Sequence, residues 1–483
     1  MELARHKLFI GGRWVEPSTG EYVHDVDPAT NQPIAEVAAA GPEDSKAAVE
    51  AARAAFEGAE WRDMDPSKRG RLLFQLGQSV RDAFEDLARL ESLDVGKPIR
   101  EAKGDVAFVY KTLEYWAGFA DKIQGETIPV PGNRLNYTVR VPVGVTLHIA
   151  PWNYPLTLAV RGIAPALAAG NTVVAKPAQL TPLTLLRFAE LAEKAGLPPG
   201  VLNVVTGPGS TVGKALAGHP DVDSITFTGS LDTGRQIMEM AARHVTPVTL
   251  ELGGKNPNIV FADADLEKAV KGVVFGAYQN AGQMCWAGSR LLVHESIHAD
   301  VVRKVADRAA KLRLGRGVKE DTQMGPLVSR EQAASVLSYV EVGVAEGANL
   351  VVGGARAQEG ELAAGNFVTP ALFDGVAPDM RIAREEIFGP VLTATPFRTT
   401  DDLIEIANAV EFGLTAGIWT KDLKTAHAVA ARIEAGMVSI NEFPITFPQT
   451  PFVGWKASGL GHEQGLEATR FYTRVKNVNV NLD

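Results

Sequence analysis

Four short apolar runs alternate with four amphipathic stretches between residues 143 and 244, and this alternation constrains the fold more than any other feature. Short β-branched runs separated by helical periodicity are typical of a parallel sheet whose crossovers are helices. Ligands of such sheets bind at the carboxyl ends of the strands. We therefore predict an α/β protein with a nucleotide-binding sheet in this region. The predicted strands are residues 143–149, 172–176, 201–205 and 224–227, and the predicted helices are residues 157–169, 184–195, 210–217 and 231–244.

The segments on either side of this region have other patterns. Helical spacing of apolar residues predicts helices over residues 42–57, 66–96 and 100–123. Residues 136–145 and 473–482 instead alternate apolar and polar side chains, which is typical of strands. Because an exposed alternating strand invites pairing, we expect these two arms to pair with each other or with a neighbouring subunit. The expected assembly is a homodimer or a homotetramer.

Length and charge narrow the class of protein. A chain of 483 residues exceeds what one hydrophobic core usually serves, so two or three domains are expected. The net charge of −9 argues against nucleic acid as a partner, because phosphate binding calls for a basic face. We see no secretory signal and no run of about 18 apolar residues, so we expect a cytoplasmic protein that does not enter a membrane.

The chain has one cysteine, Cys285, which excludes an intrachain disulfide and a cysteine-based zinc site; no metal is expected. From its count alone, a single cysteine is more often a buried, inert side chain than a nucleophile. Cys285 follows a glycine-bearing bend at residues 280–284, and this context favours a functional role.

Polar and glycine-rich segments follow the predicted strands. Asn153 lies between two prolines that fix the backbone, and its amide suits either an oxyanion hole or a helix N-cap. Lys176 ends the next strand and suits either a ribose or phosphate contact or a solvated position. Residues 207–213 form a glycine-bearing turn, and Ser230 opens a helix as an N-cap or as a pyrophosphate contact.

Five motifs give a strong signal together, although each alone is weak. They are Pro-Trp-Asn-Tyr-Pro at residues 151–155, Glu-Leu-Gly-Gly-Lys at 251–255, Gln-Met-Cys at 283–285, Glu-Ile-Phe-Gly-Pro at 386–390 and Ser-Gly-Leu-Gly at 458–461. With these motifs the chain resembles the hydrolytic NAD(P)-dependent aldehyde dehydrogenases from about Phe9 through Val480. The interval from Glu251 to Cys285 is also the one that this family shows.

The resemblance implies a fold with two Rossmann-type parallel-sheet domains and a small β arm that bridges subunits. Residues 1–122 and 143–254 would form the dinucleotide-binding domain, and residues 255–460 the catalytic domain. Residues 123–142 and 461–483 would form the bridging arm.

The resemblance also implies the chemistry. Cys285 would attack the aldehyde carbon, while the Asn153 side chain and the Cys285 backbone N–H hold the oxyanion. After hydride leaves for the nicotinamide ring, Glu251 would activate the water that releases the acid. Glu463 would relay a proton to Glu251 or orient it, the alternative being a surface ion pair.

One departure from the family pattern concerns the cofactor. Gln179 stands where many NAD-preferring relatives have a glutamate, and its neutral amide does not repel a 2′-phosphate. We therefore expect NAD as the cofactor, with NADP tolerated. The resemblance places the following residues around the dinucleotide: Ile149, Pro151, Trp152, Lys176, Gln179, Gly209, Gly213, Phe227, Thr228, Gly229, Ser230, Leu252, Glu386 and Phe388.

The substrate stays open among a semialdehyde, an aromatic aldehyde and an amino-aldehyde. Arg161 would line the substrate tunnel and pair with the carboxylate of an acidic aldehyde. Gln279 weakens the case for an acidic aldehyde, because some semialdehyde enzymes have a second arginine at this position and this chain has a glutamine instead. An aromatic lining would suit aryl, alkyl or cationic aldehydes, and it would come from Tyr154, Trp286, Phe443 and Phe447.

Two rival functions share this fold. A CoA-acylating dehydrogenase lacks the water-activating glutamate, so the presence of Glu251 argues against it. A non-catalytic structural relative has no need to retain Cys285, Asn153 and Glu251 together.

Overall fold

The computed structural model describes residues 3–483, so the first two residues of the predicted segment 1–122 lie outside it. The strands, in chain order, are β1 (Ala4–His6), β2 (Leu8–Ile10), β3 (Arg13–Val15), β4 (Tyr22–Asp27), β5 (Gln32–Ala38), β6 (Thr127–Ile128), β7 (Arg134–Pro142), β8 (Val145–Ile149), β9 (Thr172–Lys176), β10 (Leu202–Val204), β11 (Ser224–Thr228), β12 (Val248–Glu251), β13 (Pro257–Val260), β14 (Arg290–His294), β15 (Asn349–Val352), β16 (Ala371–Asp374), β17 (Val391–Phe397), β18 (Phe412–Gly413), β19 (Thr415–Trp419), β20 (Met437–Ile440), β21 (Trp455–Lys456), β22 (Gly459–Leu460) and β23 (Thr473–Asn481).

The α-helices are, in chain order, α1 (Pro42–Glu57), α2 (Ala59–Arg62), α3 (Pro66–Asp82), α4 (Phe84–Val95), α5 (Ile99–Ala117), α6 (Pro155–Ala168), α7 (Leu183–Lys194), α8 (Lys214–Ala217), α9 (Leu231–Ala242), α10 (Leu266–Tyr278), α11 (His298–Ala309), α12 (Arg330–Ala345), α13 (Arg381–Arg384), α14 (Thr400–Asn408), α15 (Leu423–Ala430) and α16 (Thr469–Tyr472).

The first large sheet has the strand order β22-β12-β11-β8-β9-β10-β2-β3. The four predicted strands are confirmed as β8 to β11, and β12 extends their parallel array. At the carboxyl edge, Ile149 is in register with Lys176 and Phe227, and Thr228 with Glu251. This register brings the polar strand ends together. β2 and β3 add an antiparallel pair at one edge and β22 an antiparallel strand at the other, and all three are too short for their pattern to show in the sequence.

The prediction of one helix over residues 66–96 is wrong, because this segment forms two helices, α3 and α4. The chain leaves the helical path between them at Ala83. α3 packs against α5 and α6, whereas α4 packs against α5 and α7, so the chain must turn between them. Alanine itself favours helix, and the break therefore has no local sequence signal. Gly96 then ends α4 in the left-handed conformation, with a φ of 88°.

The second large sheet is also mainly parallel, in the order β15-β16-β17-β14-β13-β19-β20, with β15 antiparallel at one edge. The two parallel-sheet units confirm the predicted fold class. The predicted arms pair with each other, since β23 runs antiparallel to β7 from Thr473 opposite Pro142 to Asn481 opposite Arg134.

Helix α6 packs between other helices and the first sheet and is largely buried. Its one charged side chain, Arg161, is only 3 % exposed, and a buried charge requires a partner. Among residues 3–483, no helix combines the length and the apolarity that crossing a bilayer requires.

Candidate active site

The loop that carries Cys285 is held in a fixed conformation. Asn280, Ala281 and Gly282 have φ values of 48°, 53° and 71°, so three successive residues adopt the left-handed region. A side chain at Gly282 would meet the carbonyl oxygen of Gly389 at 2.2 Å, which leaves glycine as the residue that fits. The bend turns the chain sharply, and the thiol follows directly after it.

Asn256 fixes the loop on its other side. Its Nδ2 donates to the carbonyl oxygens of Cys285 at 2.8 Å and Ala287 at 2.9 Å, while its Oδ1 accepts from the backbone N–H of Thr415 at 3.0 Å. The buried amide therefore ties the backbone of Cys285 to the second sheet. Asn256 carries no functional signal of its own in the sequence, although it follows the Glu-Leu-Gly-Gly-Lys motif directly.

Asn153 lies against the same loop. Its Nδ2 donates to the carbonyl oxygen of Gln283 at 2.9 Å, and its backbone carbonyl accepts from the Nδ2 of Asn280 at 3.1 Å. A side-chain amide has two donor hydrogens, so the second hydrogen of Asn153 is free for a substrate oxygen. The structure thus places the Asn153 amide against the loop that carries Cys285.

Glu251 ends β12 and is only 1 % exposed. Neither carboxylate oxygen has a hydrogen-bond partner within the described residues. Burial raises the pKa of Glu251 well above its usual range; the charge of Glu463 raises it further, while Arg161 opposes the rise. A carboxyl group with a raised pKa can take a proton from water near neutral pH.

Arg161 and Glu463 form a buried ion pair next to Glu251. The guanidinium also lies 4.2 Å from the centre of the Phe452 ring, and the backbones of Phe452 and Glu463 exchange hydrogen bonds of 2.7 and 3.0 Å. Glu463 is 2 % exposed, so the alternative of a surface ion pair is wrong. Arg161 lines the tunnel as expected; it is paired with Glu463, and its Nη2 has no hydrogen-bond partner within the described residues.

Burial raises the pKa of the Cys285 thiol to about 12, and the positive charge of Arg161 opposes this rise. The carboxylates of Glu386 and Glu251 raise it further. The thiol is therefore protonated at neutral pH, and attack requires that a base or a bound positive charge favour the thiolate.

A cavity of about 530 Å³ leads to Cys285 and lies partly on α5 and α6. Of the expected substrate residues, Tyr154, Arg161 and Trp286 line it. The lining also includes residues that the sequence analysis missed: Phe108, Thr157, Leu158, Phe275, Ile445, Thr446, Phe452 and Gln464.

Phe443 was expected to line the tunnel, and this expectation is wrong because it is not among the lining residues. The ring is 5 % exposed and packs closely over Gly276, Gly288 and Gly417, where an added Cβ would meet it at 2.5 to 2.7 Å. Phe443 is therefore a core residue of the second sheet unit. Phe447, at 48 % exposed, is not among the lining residues either.

Two further cavities, of about 340 and 220 Å³, contain the residues expected around a dinucleotide. The first is lined by Ile149, Lys176, Gly209, Gly213 and Phe227, and also by Lys214, which the sequence analysis missed. The second is lined by Pro151, Trp152, Thr228, Gly229, Ser230, Leu252, Glu386 and Phe388, together with Asn153 and Cys285. Gln179 is exposed and lines neither cavity.

The donor and acceptor groups of these cavities fit a dinucleotide. Lys176 is buried, its Nζ bonds only the carbonyl oxygen of Pro177 at 3.0 Å, and burial lowers its pKa to about 8. Its remaining hydrogens suit ribose or phosphate oxygens. Glu386 accepts from the backbone N–H of Gly254 at 2.9 Å and lies over Gly253, where an added Cβ would clash with Oε2 at 2.2 Å.

A sequence model described as the Aldehyde dehydrogenase family matches residues 14–478. The chain is similar to hydroxyisobutyraldehyde dehydrogenase from Mycolicibacterium austroafricanum, with 47% identity over 99% of this chain and 94% of that protein. It is 45% identical to betaine aldehyde dehydrogenase from Bacillus subtilis (strain 168), over 98% of this chain and 96% of that protein.

Solved structures agree with the sequence comparisons. Betaine aldehyde dehydrogenase from Staphylococcus aureus, solved in complex with NAD+, superposes with a TM-score of 0.98 at 41% identity, covering 99% of this chain and 95% of that chain. The NAD+ complex of an aldehyde dehydrogenase from Bacillus cereus has a TM-score of 0.97 at 44% identity, covering 99% of this chain and 97% of that chain.

Proposed function

This chain belongs to the aldehyde dehydrogenase family and oxidises aldehydes with NAD, and we propose that it does so through a thioacyl intermediate on Cys285 that water hydrolyses. The observation that carries the proposal is the position of Cys285. The thiol lines both the tunnel and the cavity that contains Glu386 and Phe388. A substrate carbon bonded to the sulfur would therefore face the place where a nicotinamide ring fits.

In the first step the Cys285 thiol loses its proton to water in the tunnel, and the sulfur attacks the aldehyde carbon, which forms a thiohemiacetal oxyanion. The free Nδ2 hydrogen of Asn153 and the backbone N–H of Cys285 stabilise this oxyanion. Both donors are preorganised, because Asn256 and the left-handed bend fix the loop. When bound, NAD supplies the acceptor for the hydride that leaves the thiohemiacetal carbon.

The second step is hydrolysis of the thioester on Cys285. Glu251 takes a proton from water, the hydroxide adds to the thioester carbon, and the sulfur leaves as the acid is released. The carboxylate oxygens of Glu251 have no partner within residues 3–483, so both are free to accept from water. Glu463, held by Arg161, acts as a positioning residue that sets the charge around Glu251.

Two residues are proposed to hold the dinucleotide at opposite ends. Lys176 would contact the adenosine ribose, and Glu386 would hold the nicotinamide ribose. Among the described residues that line the Lys176 cavity, none is acidic, so a 2′-phosphate meets no repulsion there. We therefore propose that NADP is accepted beside NAD.

We also propose a homodimer or a homotetramer. In the arm, β23 pairs with β7 along one edge, while its other edge has no strand beside it in the described chain. Leu135, Val475 and Leu482 are exposed on these arm segments at 42%, 57% and 55%. A second copy of the chain would cover both the free edge and these apolar side chains.

The proposed function predicts that the purified protein reduces NAD when an aldehyde such as benzaldehyde is added without CoA. The measurement is absorbance of the reduced cofactor, run separately with NAD and NADP, with the carboxylic acid quantified by chromatography. We expect one acid for each reduced cofactor. A strict requirement for CoA would contradict hydrolysis and indicate the acylating alternative.

A Glu463→Gln substitution is expected to move the rising limb of the kcat–pH profile to lower pH by about one unit. The charge of Glu463 raises the pKa of Glu251, so removing it lowers that pKa and leaves Glu251 ionised at lower pH. Glu467→Gln is the matched control, because Glu467 is paired with Arg470 at the surface. A uniform loss of kcat at every pH would indicate a structural role only.

A further inference from the structure

Helix α5, which lines part of the tunnel, begins with a turn that is tied to another segment of the chain. The backbone N–H of Ile99, the first residue of the helix, donates to the carbonyl oxygen of Gly317 at 2.8 Å. Arg100 donates to the carbonyl oxygen of Gln323, also at 2.8 Å. These bonds hold the first turn of α5 in place, so a side chain on this turn projects from a fixed position.

Glu101 lies on this turn, lines the tunnel and bonds the loop that carries Cys285. Its carboxylate is buried and accepts from the backbone N–H of Asn280 at 2.8 Å. Asn280 is itself buried and is the first of the three left-handed residues that precede the nucleophile. A buried backbone N–H requires an acceptor, and Glu101 supplies one where the chain turns sharply after α10.

Asn280 connects Glu101 to the groups proposed to stabilise the oxyanion. The Nδ2 of Asn280 donates to the backbone carbonyl of Asn153 at 3.1 Å, and the Nε2 of Gln283 donates to the carbonyl oxygen of Asn280 at 2.9 Å. The carbonyl oxygen of Gln283 in turn accepts from the side-chain amide of Asn153 at 2.9 Å. A shift of Asn280 would therefore move both the Asn153 amide and the backbone that leads to Cys285.

We infer that Glu101 is a positioning residue that holds the bend at Asn280, and through it the oxyanion donors and Cys285, in place for attack on the aldehyde; this inference rests on the proposed function. Glu101 lines neither of the two cavities that contain the residues expected around the dinucleotide. Its loss should therefore slow the reaction of bound aldehyde without weakening the binding of NAD. Misplacement of reacting groups by about 1 Å can lower a rate by about 10²-fold.

The bend requires an acceptor from Glu101 and not a negative charge. Burial raises the pKa of Glu101 to about 7, while the hydrogen bond from Asn280 opposes the rise. The charges of Lys97 and Arg100 also oppose it, and that of Asp105 adds to it. Near neutral pH part of the enzyme thus has a protonated Glu101, whose carbonyl oxygen can still accept from the N–H. A glutamine has the same length and a neutral acceptor, so it should replace the glutamate.

The test compares three variants of the full-length enzyme, with benzaldehyde and NAD as substrates. Glu101→Asp draws the carboxyl group back by one methylene, and Glu101→Leu has no acceptor. We expect each of these two to lower kcat by at least about 10-fold, while KM for NAD changes by less than about twofold. Glu101→Gln, the conservative variant, should recover kcat to within about threefold of the unsubstituted enzyme.

Hydrogen exchange measured by mass spectrometry follows the bend directly. In the peptide that spans residues 279–286, we expect faster exchange in Glu101→Asp and Glu101→Leu than in the unsubstituted enzyme, and no such increase in Glu101→Gln. Glu114→Leu is the matched control, because Glu114 lies on the same helix but bonds Gln78 and pairs with Arg81, away from the tunnel. This control should leave both kcat and exchange unchanged.

Three results would overturn the inference. The first is an unchanged kcat in Glu101→Asp, the variant that decides the matter if Glu101→Leu does not fold. The second is a loss in Glu101→Gln as large as that in Glu101→Asp, which would show that the charge matters and not the bond to the bend. The third is a change confined to KM for benzaldehyde, which would make Glu101 a wall of the tunnel only. None of the three would touch the proposed function, which fails only if the unsubstituted enzyme forms no reduced cofactor.

Discussion

A Cys285→Ser enzyme is expected to lose aldehyde oxidation by at least about 10⁴-fold in kcat/KM. The serine hydroxyl is a far weaker nucleophile than a thiolate, and among the described residues that line the two cavities at Cys285 there is no histidine to activate it. The substitution changes one atom, and the loop contacts of Cys285 run through its backbone carbonyl. The measurement is reduced cofactor formed over a range of benzaldehyde concentrations.

The control measurements for this variant test whether the fold and the binding of NAD persist. We expect the thermal unfolding midpoint and the quenching of tryptophan fluorescence by NAD to match those of the unsubstituted enzyme. Since Cys285 is the single cysteine, iodoacetamide should label the unsubstituted enzyme once and the variant not at all. Turnover within tenfold of the unsubstituted enzyme would show that the sulfur forms no bond to substrate.

A Glu251→Gln enzyme is expected to complete its first turnover and then stall. Glutamine keeps the size of the side chain but cannot accept a proton from water, so the thioester on Cys285 would persist. We expect a burst of about one reduced cofactor per enzyme, followed by a steady rate lower by about 10² to 10⁴-fold. Stopped-flow absorbance resolves the two phases.

Glu386→Gln provides a matched control. Glu386 is a half-buried carboxyl whose pKa is also raised by burial, to about 7, but it lies at the cavity proposed for the nicotinamide ribose. Its loss should slow the first turnover and give no burst. If Glu251→Gln also lacked a burst, Glu251 would act before the thioester forms.

The sequence predicted the parallel core because the signal is local. Each predicted strand from residue 143 to residue 227 is a short apolar run followed by a helical stretch, and burial of both sheet faces requires that pattern. The short strands β2 and β22 depend instead on antiparallel pairing with β10 and β12, which are far away in the chain. The break at Ala83 is set by helix packing for the same reason.

At the candidate site, the sequence motifs predicted which residues contribute, but they did not predict whether each side chain faces the cavity or the protein core. Cys285, Asn153 and Glu251 come from motifs, and the structure places them around one loop and the neighbouring strand end. Phe443 shows the limit, because an aromatic residue type suits a tunnel wall and a core equally well. The pairing of Arg161 with Glu463 joins distant segments of the chain and had no sequence signal.

The most direct test of the central claim is the intact mass of the Glu251→Gln enzyme after mixing with benzaldehyde and NAD. We expect an increase equal to the mass of the aldehyde less two hydrogen atoms, because the aldehyde has lost a hydride and the thiol a proton when the thioester forms. Peptide mapping should locate that increase at Cys285. An unchanged mass during the burst, or an acyl group on any other residue, would show that oxidation does not pass through a thioester on Cys285.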